Sequence, residues 1–113
     1  MAFILQGTAM SYAQVQKEAD EIALEQTGLM TEKLGLSEAQ EIQVHALNKL
    51  YAEKEINLMN ESGSKFSKVG RLKDMNKSKA QKFQSILSEE QMKLYKDEVI
   101  PILKEQIRSR FKS

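Results

Sequence analysis

Leu36-Ser37-Glu38-Ala39-Gln40 and Leu87-Ser88-Glu89-Glu90-Gln91 spell the same pattern, Leu-Ser-Glu-x-Gln, twice in one chain. Each copy has the form of a capping box. The serine hydroxyl accepts from the backbone N–H three residues on, and the glutamine side chain reaches back to the serine N–H. The glutamate after each serine sits where the positive end of the helix dipole favours it. Ser37 and Ser88 are therefore predicted to open two helices, each cap stabilising by about 1 kcal/mol. Leu87 and Met92 can add a hydrophobic staple to the second copy, whereas Glu41 takes that place in the first.

Working outward from these starts places four helical stretches. The first runs from about Ala13 to Leu34, with Val15, Ala19, Ile22 and Leu29 or Met30 on one side; Gly28 weakens it by roughly 1 kcal/mol relative to alanine. Gly35 supplies its stop. The second runs from Glu38 to about Asn60, and its projection gathers Ala39, Ile42, Ala46, Leu47, Leu50, Tyr51 and Leu58 on one face. Asn60-Glu61-Ser62-Gly63-Ser64 breaks it. The third lies between Ser67 and Ile86, with Leu72, Met75, Ala80, Phe83 and Ile86 or Leu87 as its stripe. The fourth runs from Glu89 to about Phe111, and Pro101 inside it is expected to kink it near Asp97 or Glu98.

Composition agrees with an all-α chain. The 113 residues are 41% hydrophobic and 29% charged, with one proline and no tryptophan, which suits one charged helical domain and little more. Its core is thin at this length, so dimerisation is a natural way to bury more surface. The absence of cysteine removes disulfides, thiol nucleophiles and thiolate metal sites. The net charge of +1 conceals a polarity. Residues 14–61 carry 10 acidic and 4 basic side chains, whereas residues 62–113 carry 13 basic and 6 acidic. The halves can attract each other within one chain or across a dimer. Residues 1–13 read either as the remnant of a secretory signal, with Ser11-Tyr12-Ala13 before a cleavage point at Gln14, or as an ordinary chain end. Residues 14–113 form the domain. No stretch reaches the length of a membrane span.

Doubled and correctly placed, the motif resembles the two-copy Leu-[Ser/Thr]-x-x-Gln signature of the Spy/CpxP family of bacterial periplasmic stress proteins. The resemblance covers about residues 20 to 107. It implies an elongated, bent helical hairpin that dimerises into a thin cradle, here a small one because the copies lie only 51 residues apart. It also implies export to the periplasm and ATP-independent binding of unfolded envelope proteins, or modulation of stress signalling through one specific partner such as a sensor-kinase domain. Leu36, Ser37, Gln40, Leu87, Ser88 and Gln91 are then structural residues that turn the chain and cap its helices.

Catalytic chemistry is not expected. His45, the one histidine, projects onto the polar side of its helix beside Glu41, and no nucleophile–base pair, metal set, cofactor loop or phosphate loop can be composed. Candidate contacts for a client or partner are Met59, which falls off its helix's apolar face, and the basic residues Lys65, Lys68, Arg71, Lys73 and Lys77. They belong to a run, 65–82, with seven basic residues against Asp74. A nucleic-acid or anionic-membrane surface is the weaker reading of that run, because only Phe66 and Phe83 could stack there. Steering of acidic, partly unfolded chains is another.

Overall fold

A computed structural model describes residues 10–112. Four helical rods make up the fold: α1 Tyr12–Leu34, α2 Glu38–Asn60, α3 Lys65–Phe83, and a last rod in which α4 Glu89–Leu94 continues through a π-helical turn, Tyr95–Val99, into α5 Ile100–Lys112. There is no strand among the described residues. The particle measures 53 × 28 × 20 Å, elongated along the hairpin that α1 and α2 form.

Each boundary has a local cause. Gly35 ends α1 in the left-handed conformation, φ 66°, ψ 53°, and its N–H bonds the Thr31 carbonyl at 2.9 Å. A side chain is strained there, which is why glycine occupies the turn. Ser37, Ser88 and Ser64 cap α2, α4 and α3. Pro101 has no N–H to give to the Asp97 carbonyl, and the helix responds just before it. Ile100 N–H bonds back to Tyr95 O across a wide turn. The distortion expected at Asp97 or Glu98 is thus a single π-turn in an otherwise continuous rod.

The main core fills the closed end of the hairpin. Met30, Leu34, Leu36 and Val44 meet Phe83, Leu87, Met92, Tyr95, Val99 and Leu103, so both motif leucines lie inside it. Phe83 and Tyr95 pack edge to face, with centroids 5.1 Å apart. Burial pushes the Tyr95 hydroxyl above the usual tyrosine range. The open end has a smaller cluster of Val15, Ala19, Ala52 and Ile56.

The expected inner face of α2 needs correction. Ala39, Ile42, Ala46 and Leu50 are exposed and Leu47 is half-buried, while Val44, Asn48, Tyr51, Ala52, Glu55, Ile56 and Leu58 are buried. Positions 44, 48, 51, 55 and 58 alternate by four and three, the spacing of a packed helical seam. Two of them are polar, so a projection that weighs only apolar residues turns the helix the wrong way. Asn48 is tolerated because its Nδ2 donates to Thr27 Oγ1 at 3.0 Å across the hairpin.

The basic run also needs one correction. Lys79 is buried, its Nζ donating to Gln26 Oε1 of α1 at 2.9 Å and lying 5.9 Å from the Phe83 ring centroid. Burial lowers its pKa to about 7. The leader expected over 1–13 falls mainly on residues outside the described ones. Its last residues, Ser11 to Ala13, cap and open α1.

Candidate functional site

The two motif copies meet. In each, the serine hydroxyl accepts from the glutamine N–H at 3.1 Å and the glutamine Oε1 accepts from the serine N–H at 3.0 Å. The same two side chains then pair with each other. Gln40 Nε2 donates to Gln91 Oε1 at 2.7 Å, and Gln91 Nε2 donates to Gln40 Oε1 at 3.1 Å. Their remaining protons go to main-chain carbonyls at helix ends: Gln40 to Ile86 at 3.1 Å, Gln91 to Leu34 at 3.4 Å. Each amide thus makes four hydrogen bonds, the full complement of a primary amide in such a setting. The result is a clasp that ties the start of α2 to the start of α4, with Leu36 and Leu87 buried beside it. Its role is structural, and nothing in it offers a nucleophile or a proton relay.

A third box escaped the sequence reading. Ser11 accepts from Gln14 N–H at 3.1 Å and Gln14 Oε1 accepts from Ser11 N–H at 2.9 Å, capping α1. Read as a processing site, Ser11-Tyr12-Ala13-Gln14 also spells Ser-x-x-Gln, which was the signal available. No leucine precedes Ser11, and among the described residues exposed Gln14 has no second glutamine to meet.

The proposed contact residues divide into two groups. Met59 is half-buried, and Lys68 closes over the end of α2, its Nζ donating to the carbonyls of Met59, at 3.2 Å, and of Glu61. Arg71 pairs with Glu61 at 2.8 Å, one bridge between the acidic and basic halves. These two cations hold the α2–α3 corner. Lys65, Lys73 and Lys77 are exposed along α3, and Phe66, next to Lys65, is 91% exposed. Such a ring among lysines is an unusual burden for a surface helix.

A second exposed apolar surface lies on the other helices. An open groove of about 510 Å³ runs between α1 and α2. Leu24, 60% exposed, and Ile42, 73% exposed, form its walls, with Gly28 and Thr31 between them and Glu41 and His45 also lining it. Glu41 is fixed by Thr31 Oγ1 at 2.9 Å rather than by His45. His45 is half-buried and faces Asp20 of α1 at 3.2 Å, so it belongs to the helix pair more than to solvent. Among the described residues, no three His, Cys, Asp or Glu side chains converge as metal ligands, and no helix is long and apolar enough to cross a membrane. Compared with family models, curated proteins and solved structures, the chain matches none.

Proposed function

We propose that this protein is a periplasmic, ATP-independent binding protein that pairs with itself and holds or senses non-native envelope proteins. The observation that carries the reading is the apolar surface left open on the hairpin: Leu24, Ile42 and Leu50 are exposed on helices whose other sides are packed. Leu24 and Ile42 share one open groove, a form of exposed apolar surface that suits contact with another molecule. The doubled motif supports the same reading through its resemblance to a family of stress proteins. Separate leucine and isoleucine contacts suit weak, reversible holding of varied segments. The exposed lysines of α3 would draw acidic chains into encounter before apolar contacts form.

The test is aggregation of a denatured, unrelated protein with this chain present at near-stoichiometric amounts and no nucleotide. Suppression by the wild type, weakened by Ile42→Glu with Leu24→Glu, is the expected result. Wild-type protein that neither delays aggregation nor binds an unfolded chain overturns the reading. Saturable binding of a single sensor domain, without any effect on generic clients, would replace it with that of a specific adaptor.

A further inference from the structure

We propose that two copies of this chain associate by seating the exposed Phe66 ring on basic helix α3 of one copy in the acidic-sided groove between α1 and α2 of the other. The inference deepens the self-pairing named above and rests on that part alone, not on client binding.

Three observations lead to it. The first is complementary charge. Glu41 lines the groove, and Glu25, Glu32 and Glu38 stand exposed on the helices that form it, while Lys73 and Lys77 stand exposed on the helix that carries Phe66. Among the described residues none of Glu25, Glu32, Glu38, Lys73 and Lys77 has an ion-pair partner, so the polarity of the chain is left available to a second molecule. The second is complementary shape: one copy offers a projecting ring, 91% exposed, and the other an open apolar groove. The third is Gly28. A glycine inside a helix costs stability, and a Cβ added here would meet no atom within 4 Å, so packing inside the chain does not require its absence. Bare backbone between Leu24 and Ile42 leaves room for an incoming ring.

Each chain carries one ring and one groove, so a two-fold pair in which each ring enters the partner's groove satisfies both sites and closes on itself. Leu24 and Ile42 would then be covered in the resting pair, and a client would compete for them.

Sedimentation of the full chain over a wide concentration range, at low and high salt and with no client, tests the assignment. Wild type is expected to associate reversibly and less strongly as salt rises. Phe66→Ala and Ile42→Glu should each weaken association roughly tenfold or more, as loss of a central apolar anchor does. Both positions are exposed, so thermal melts should match the wild type. An equal mixture of the two variants should associate more strongly than either variant alone, because one of the two ring–groove contacts of the pair remains intact. A wild type that stays monomeric, a variant that associates like the wild type, or a mixture that associates no more strongly than either variant would each overturn the proposal.

Discussion

Replacing Gln40 by alanine should cost far more than replacing Gln14, although both glutamines close the same kind of capping box. Among the described residues Gln14 makes one side-chain bond, accepting from Ser11 N–H at 2.9 Å. Gln40 makes that bond to Ser37 and three more, to Ile86 and twice to Gln91. At about 1 kcal/mol net per hydrogen bond, Gln14→Ala should destabilise by about 1 kcal/mol and Gln40→Ala by about 4 kcal/mol. Two of the bonds are shared with Gln91, so either single change removes them and the second cannot remove them again. The double mutant should therefore fall short of additivity by about 2 kcal/mol. Urea unfolding followed by far-UV circular dichroism measures all four variants on one scale. Equal losses for Gln14→Ala and Gln40→Ala, or full additivity of the Gln40 and Gln91 changes, would show that the clasp adds nothing to the caps.

Three further expectations concern stability. Lys79 titrates near pH 7 in the fold against 10.5 as its ordinary value, so the unfolded chain binds more protons between those limits. Stability should therefore rise with pH across that window, by up to about 1.4 kcal/mol per pH unit, and Lys79→Met should remove the rise; denaturant melts at several pH values would record it. Gly28→Ala should raise stability by about 0.5–1 kcal/mol in a thermal melt, since the methyl group meets nothing within the chain. Gly35→Ala, at φ 66°, should lower it by about 1 kcal/mol in the same assay.

Local punctuation was readable in the sequence because its causes are local. The Ser37 and Ser88 caps, the Gly35 stop, the break after Asn60 and the distortion ahead of Pro101 all depend on residues within one or two turns. The clasp was not, because a capping box specifies what Gln40 does to Ser37 and leaves its free N–H protons unassigned until α4 arrives. The face of α2 misled for a related reason: Asn48 enters the interior on the strength of a bond to Thr27, a partner on another helix. Lys79 counted as surface charge, yet its amine lies 5.9 Å from the Phe83 ring centroid and finds Gln26 of α1, a partner supplied by tertiary structure. Ile42, expected in the core, instead lines the open groove, because the seam of α2 is set by residues on its other side.

The unequal sizes of the two core clusters have a consequence for motion. Backbone amides around Met30, Val44 and Tyr95, held by the large cluster and the clasp, should exchange with solvent deuterium only when the whole molecule unfolds. Those around Val15 and Ile56 are secured by a four-residue seam containing two alanines, and should exchange through partial openings at much lower free energy. The hairpin then has an anchored end and a breathing end. Met59 and Phe66 sit at the breathing end, so the contacts proposed for them would be made by the part of the molecule with the greatest freedom to adapt.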